Sequence, residues 1–168
     1  MELALAEPDL VDRLLLVSPG LPGWDWSSQL RADWEAEEAA WQRRDLDDVA
    51  WRNVRIWVDG PQRGGEAAPE VRQAVFDMYR HALELQAVDG AMDSGAVEPT
   101  SSGRLGEISA RTLVLVGELD QPDMLAFGEY LGQEIPGAAF EVLPEVAHLP
   151  PMEDPESFVA VVREFLEG

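Results

Sequence analysis

Two unbroken apolar runs stand out along this chain, LLLV at 14–17 within the segment RLLLVS (13–18), and LVLV at 113–116. Such runs are typical of central strands in parallel sheets, because helices cover both faces of those strands. We therefore predict a buried strand at each run. The segment AAFEVLP at 138–144 predicts a third strand, and a short helix-prone segment precedes the first one.

Apolar residues at helical spacing mark the other ordered segments. Residues 28–85 are amphipathic throughout, and Pro69 is placed for the first turn of one helix within them. A further helix is predicted over 122–135. The last helix is predicted to begin with Asp154 as its N-cap and Pro155 at its first position.

The resulting order is strand, helical insertion, strand, helix, strand, helix, which is typical of an α/β protein with a parallel sheet. We predict that 1–27 and 104–168 form the core and that 28–103 form the helical insertion. Residues 86–103 are rich in Gly, Ser, Asp and Ala without periodicity, which predicts a flexible connector.

Charge limits the partners of this protein. The chain has 33 acidic residues against 12 basic ones, all of them arginine, for a net charge of −21. Nucleic acid and anionic membrane surfaces are therefore not expected as partners, because phosphates are repelled. The chain has no cysteine and two histidines, so neither a thiolate nor a histidine-rich metal site is expected, and no cofactor is predicted.

The apolar runs are also far too short to span a bilayer. The first residues, MELALAEPD, carry acids where a signal peptide carries basic residues, so we expect a cytoplasmic protein. The sequence does not determine the oligomeric state.

Two residues could cooperate chemically at the carboxyl edge of the predicted sheet. Asp120 follows the second strand in VLVGELDQPD, and His148 follows the third in LPEVAHLPP. Carboxyl ends of parallel strands share one edge, where ligands bind. A carboxylate that orients an imidazole is the acid and base part of a catalytic triad. From position alone, however, a single histidine in a loop near an acid is more often a surface residue without a catalytic role.

These motifs resemble a known family. The segment RTLVLVGELDQPD…FEVLPEVAHLPPMEDPESFVAVVREFL resembles the C-terminal part of α/β-hydrolase-fold enzymes, with a histidine followed by Glu-x-Pro-x-x-Phe. ELALAEPDLVDRLLLVSPGLPG resembles the family's stretch from the helix after the nucleophile to the next strand. The resemblance implies a partial α/β-hydrolase fold with a helical cap at 28–103, and it implies that Asp120 and His148 are the acid and base. Ala147 stands where many relatives have glycine, and both residues are small.

The family's nucleophile is not found in this sequence. Its triad runs in the order Ser, Asp or Glu, His, and the serine lies in G-x-S-x-G. None of the serines here has a glycine two positions away on both sides. The resemblance therefore implies that the serine and the oxyanion-hole donors lie upstream of Met1.

Other residues are candidates for secondary roles. Trp24, Trp26 and Leu149 are candidates for binding substrate, and the two tryptophans lie in a loop that leaves a strand's carboxyl end. Aromatic residues in such segments are more often packing residues. Asp123 is an alternative acid, although electrostatics at a helix terminus also explain it. His81 is predicted on a helix surface.

The resemblance implies a serine hydrolase that acts on a small ester or lactone, similar to enol-lactonases or carboxylesterases. An epoxide hydrolase is less consistent with the sequence. Enzymes of that kind resemble ones that use two tyrosines of the cap, and the predicted cap here has only Tyr79. A dehalogenase with an aspartate nucleophile remains open. The alternative to an enzyme is a catalytically inactive chain that serves as an interaction module.

Overall fold

A computed structural model describes residues 1–20, 23–89, 101 and 103–168. Three strands form one parallel sheet in the order β1-β2-β3, namely β1 (Arg13–Val17), β2 (Arg111–Gly117) and β3 (Ala139–Leu143). The α-helices are α1 (Glu2–Ala6), α2 (Ser28–Gln42), α3 (Leu46–Asn53), α4 (Pro69–Asp89), α5 (Pro122–Glu134), α6 (Pro150–Glu153) and α7 (Pro155–Glu167). The predicted α/β class with a parallel sheet is confirmed.

The central strand is β2, which is buried at every position after Arg111. It pairs with β1 through Leu15 and Leu113 and with β3 through Leu115 and Glu141. A parallel strand with neighbours on both edges and helices on both faces needs such a continuous apolar run. The prediction for this strand is correct.

The prediction of full burial is wrong for β1. Only Leu16 is buried in this strand, and Leu14, Leu15 and Val17 are half-buried. Among the described residues β1 has a neighbouring strand on one edge only. With this single neighbour the strand is less buried than β2, although the two local sequences are alike.

Helix α5 packs closely on β3 through two glycines. A Cβ added at Gly128 would lie 2.6 Å from Phe140 Cε2, and one added at Gly132 would lie 2.9 Å from Phe140 Cβ. These glycines therefore let the helix axis approach the strand. The contact fixes the direction of α5, which begins two residues after Asp120.

The insertion between β1 and β2 contains α2, α3, a π-helix (Val54–Asp59) and α4. Ser27 caps α2 by accepting a hydrogen bond from Leu30 N at 3.2 Å. Helix α4 reaches Asp89, so the first residues of the predicted connector at 86–103 are helical, and most of the others lie outside the described residues. The domain boundaries stay a prediction. None of the described helices is long and apolar enough to cross a membrane.

A carboxyl group in this insertion has a perturbed pKa. Glu37 on α2 accepts a hydrogen bond from Tyr79 Oη on α4 at 3.0 Å. Burial raises the pKa of Glu37, and this effect exceeds the lowering by hydrogen bonds from Tyr79 and Asn53 and by the charge of Arg52. Burial also raises the pKa of Tyr79, and so does the neighbouring Glu37.

A raised carboxyl pKa means that the folded state favours the protonated form of Glu37. Its contribution to stability is present below the unfolded pKa and is lost as the pH rises through the folded value. We expect Glu37→Gln to stabilise the protein relative to wild type at pH 7, by less than about 1 kcal/mol because water screens this half-exposed group. The gain should vanish near pH 4, as urea unfolding at both pH values would measure.

The exposed Glu35 on the same helix provides the control. Glu35→Gln should change stability to a similar small extent at both pH values. If the difference between wild type and Glu37→Gln were the same at pH 4 and pH 7, the assignment of the raised pKa to Glu37 would be wrong.

Candidate active site

Asp120 lies in the turn that follows β2 and is fully buried. Its carboxylate is within hydrogen-bond distance of three groups. Gln121 N donates to Oδ1 at 2.7 Å, Ser18 Oγ donates to Oδ2 at 3.1 Å, and His148 Nδ1 lies 2.9 Å from Oδ2. A buried carboxylate requires such partners, and these three fix the orientation of its plane.

His148 lies in the loop between β3 and α6, and its side chain is 23% exposed. Its backbone N donates to Trp57 O at 3.2 Å, and the Trp57 ring lies 4.2 Å from the imidazole between centroids. With the proton on Nδ1, the ring donates to Asp120. Nε2 has no hydrogen-bond partner among the described residues, so its lone pair is available to accept a proton.

Two glycines allow the loops that carry Asp120 and His148 to converge. A Cβ at Gly117 would lie 2.0 Å from Ala147 O and 2.4 Å from Val146 O. Gly60 has φ +67°, and a Cβ there would lie 2.3 Å from Leu119 O. The methyl group of Ala147, which is fully buried, fits against Gly60. The structure therefore brings Asp120 and His148 together as expected, and their catalytic role remains a prediction.

Trp24 does not lie in an open pocket. Its ring centroid is 5.0 Å from that of Phe127 and 5.4 Å from that of Tyr130, both on α5. Trp24 also packs against the main core cluster. These contacts favour the packing alternative for this residue.

Trp26 belongs to a row of aromatic rings that ends at the histidine. Trp26 lies edge-on to Trp34 at 5.4 Å, Trp34 is 6.5 Å from Trp57, and Trp57 covers His148. Leu149 packs instead against the apolar cluster of the insertion around Val54 and Val58. The substrate-binding roles of Trp24, Trp26 and Leu149 stay predictions.

Asp123, the alternative acid, binds Ser27 and not His148. Its carboxylate accepts hydrogen bonds from Ser27 N at 2.6 Å and Ser27 Oγ at 2.8 Å. Asp123 thereby fastens the start of α2 to the start of α5, whereas the partner of His148 is Asp120. His81 is exposed on α4, with Nδ1 3.6 Å from Glu84.

Two residues near the pair were not singled out by the sequence. Ser18 lacks the elbow glycines, and its φ of +40°, unusual for a residue other than glycine, turns the chain after β1 toward Asp120. Trp57 is one of six tryptophans in the chain, and its local sequence does not distinguish it from the others. Only the folded structure identifies these two residues, because their partners Asp120 and His148 are distant from them in sequence.

A cavity of about 300 Å³ opens beside the turn that carries Asp120. It is lined by Gln29, Asp33, Arg52, Arg55, Ile56, Gly60, Pro61 and Gln121. Neither Trp24, Trp26 nor Leu149 lines it. In the part of the chain that the structure describes, no group of three or more His, Asp or Glu residues is placed to hold a metal ion.

No protein-family model matches this chain. A curated relative is the pimeloyl-[acyl-carrier protein] methyl ester esterase of Nitrosospira multiformis, 28% identical over 171 residues that cover 98% of this chain and 63% of the relative. The chain therefore spans less than two thirds of that relative's length.

This chain also covers only part of the solved structures that it matches. A thermophilic esterase from Thermogutta terrifontis matches with a TM-score of 0.71 and 27% identity over 98% of this chain and 58% of its own. A hydrolase from Pseudomonas aeruginosa matches with a TM-score of 0.69 and 26% identity, over 99% and 60%. The enol-lactonase from Burkholderia xenovorans has a TM-score of 0.64 at 21% identity over 99% and 60%, which is a likeness of fold alone.

Proposed function

Because this chain has a partial α/β-hydrolase fold and its relatives are esterases and hydrolases, we propose that it supplies the acid and base of a serine hydrolase that cleaves a small ester or lactone. The observation that carries this proposal is the hydrogen bond between Asp120 and His148 at the carboxyl edge of the sheet. Nε2 of His148, which has no hydrogen-bond partner among the described residues, supports it, since a general base needs an available lone pair.

In the proposed mechanism, Nε2 of His148 removes the proton of a serine hydroxyl as the oxygen attacks the ester carbonyl. Asp120 stabilises the imidazolium that forms and keeps its ring oriented. The imidazolium then returns the proton to the departing alkoxide, and water releases the acyl group by the same steps. No serine of this chain lies in G-x-S-x-G, so we propose that the nucleophile belongs to a segment outside these 168 residues.

The proposed substrate class rests on the relatives and on the surroundings of His148. The Nitrosospira multiformis relative is a methyl ester esterase, and the Thermogutta terrifontis neighbour is an esterase. The ring of Trp57 lies against the imidazole, and the rings of Trp34 and Trp26 follow it in one row. We propose that this row of rings contacts the acyl or alkyl part of a neutral ester, because ligand sites are lined mainly by apolar and aromatic side chains.

The test compares the 168-residue chain with the reading frame extended upstream of Met1. We expect a serine-directed fluorophosphonate to label the longer polypeptide at a serine outside residues 1–168, as mass spectrometry of the labelled peptide would show. The chain alone should remain unlabelled and should hydrolyse p-nitrophenyl butyrate no faster than its His148→Ala variant.

Two controls make the labelling specific. The His148→Ala variant of the longer polypeptide should label far more slowly, whereas His81→Ala should label like wild type. A labelled serine within residues 1–168, or a longer polypeptide without any labelled serine, would refute the proposal. The second result would favour a non-enzymatic interaction module.

A further inference from the structure

The carboxylate of Glu153 binds the backbone on both sides of His148. Glu153 lies at the end of α6, and its side chain is 5% exposed. Its oxygens accept hydrogen bonds from Ala147 N at 3.0 and 3.1 Å and from Leu149 N at 3.1 Å. The amides before and after His148 are therefore both held by one side chain.

Arg63 connects this carboxylate to the insertion. It follows the π-helix, its side chain is 18% exposed, and its Nη2 pairs with Glu153 Oε2. It also donates to Asp59 O at 3.1 Å, to Val58 O at 3.4 Å and to Glu145 O at 3.4 Å. Arg63 thus joins the end of the π-helix to both ends of the loop at 145–153.

The same part of the insertion contacts the loop at two further points. Trp57 O accepts a hydrogen bond from His148 N, and Gly60 packs against Ala147 and Leu119. Once its backbone is held in this way, His148 can move only about its two side-chain torsions. Asp120 and the Trp57 ring restrict both of them.

We infer that Arg63 and Glu153 are positioning residues for His148, which hold its loop against the insertion so that Nδ1 meets Asp120. In the part of the chain that the structure describes, neither side chain hydrogen-bonds to the imidazole, so both act through the backbone. The inference rests on the proposed function of His148 and adds to it a coupling between the cap and the base.

Charge is essential to this arrangement. The carboxylate accepts from two backbone amides and from a guanidinium, so both oxygens are used. A glutamine has one acceptor oxygen, and its NH₂ group would face donors. Glu153→Gln therefore keeps the shape of the side chain but loses part of the hydrogen bonding, and it leaves Arg63 without its charged partner.

The test uses the 168-residue chain and NMR of its two histidines. In wild type we expect a low-field Nδ1–H signal of His148 from its hydrogen bond to Asp120. In Glu153→Gln and in Arg63→Gln this proton should exchange with water about tenfold faster or disappear, because the loop opens more often. The signals of the exposed His81 should stay unchanged in every variant. Arg63→Lys, which keeps the charge but not the fork of donors, should lie between wild type and Arg63→Gln.

The matched control is Arg72→Gln. Arg72 is 16% exposed and forms an ion pair with Asp59 at 3.0 Å, so its burial resembles that of Arg63, but no hydrogen bond joins it to the loop at 145–153. This variant should keep the His148 signal. Amide spectra establish that each variant is folded, and the Arg63 variants decide the question if Glu153→Gln is not.

The outcomes separate the inference from the proposed function. An unchanged Nδ1–H exchange rate in both Glu153→Gln and Arg63→Gln would overturn the inference, and so would an equal loss in Arg72→Gln. If the variants lose the signal as expected but the longer polypeptide has no labelled serine, only the proposed function fails. Absence of the signal from folded wild type would overturn both.

Discussion

Replacing His148 with glutamine should lower kcat for ester hydrolysis by about 10⁴-fold or more in a polypeptide that carries these 168 residues together with the serine. In the proposed mechanism His148 is the general base, and glutamine cannot take the serine proton, so this replacement removes the attack rather than the binding of substrate. KM should therefore change little. The measurement is steady-state hydrolysis of p-nitrophenyl butyrate.

Asp120→Asn provides a second substitution with a different physical cause. The asparagine amide can donate to Nδ1, which would place the imidazole proton on Nε2 and remove the lone pair that accepts the serine proton. A loss of about 10⁴-fold in kcat is expected for this near-isosteric change. His81→Gln is the control and should keep full activity. A rate in His148→Gln within about tenfold of wild type would show that another residue is the base.

Gly117→Ala should destabilise the protein by about 3 kcal/mol or more. Its Cβ would lie 2.0 Å from Ala147 O and 2.4 Å from Val146 O, and these backbone atoms cannot rotate away as the end of a side chain can. Because Ala147 immediately precedes His148, the displacement should also separate His148 from Asp120. Urea unfolding measures the first effect, and the Nδ1–H signal of His148 measures the second.

Gly65→Ala is the matched control for this substitution. No atom of the described residues lies within 4 Å of a Cβ added at Gly65 beyond its chain neighbours, and its backbone is not in the left-handed region. A change of less than about 1 kcal/mol is expected there. Equal effects of the two substitutions would mean that the contact between Gly117 and the histidine loop does not determine stability.

Local signals were sufficient for much of the fold. The apolar run of β2, Pro69 at the start of α4, and Asp154 as the N-cap of α7 each follow from rules that act within a few residues. Asp154 Oδ1 accepts from Ser157 N at 3.1 Å, as that capping rule requires. The meeting of Asp120 and His148 followed from one further rule, that parallel strands end at a common edge.

The contacts that support the pair could not be predicted in the same way. Ser18 and Asp120 are 102 residues apart, and Arg63 and Glu153 are 90 residues apart. Neither the spacing nor the local pattern marks such partners, because the fold decides which loops meet. The half-burial of β1 could not be predicted for a similar reason, because the number of neighbouring strands depends on the fold and not on the strand's own sequence.

The open edge of β1 has a consequence for the behaviour of the chain in solution. Among the described residues this edge has no strand partner, and unpaired edges of this kind template the addition of strands from other molecules. The net charge of −21 opposes such encounters by long-range repulsion between copies. That repulsion reaches about 30 Å at 0.01 M salt but only about 8 Å at 0.15 M. We therefore expect added salt to increase association between copies of the 168-residue chain through this edge.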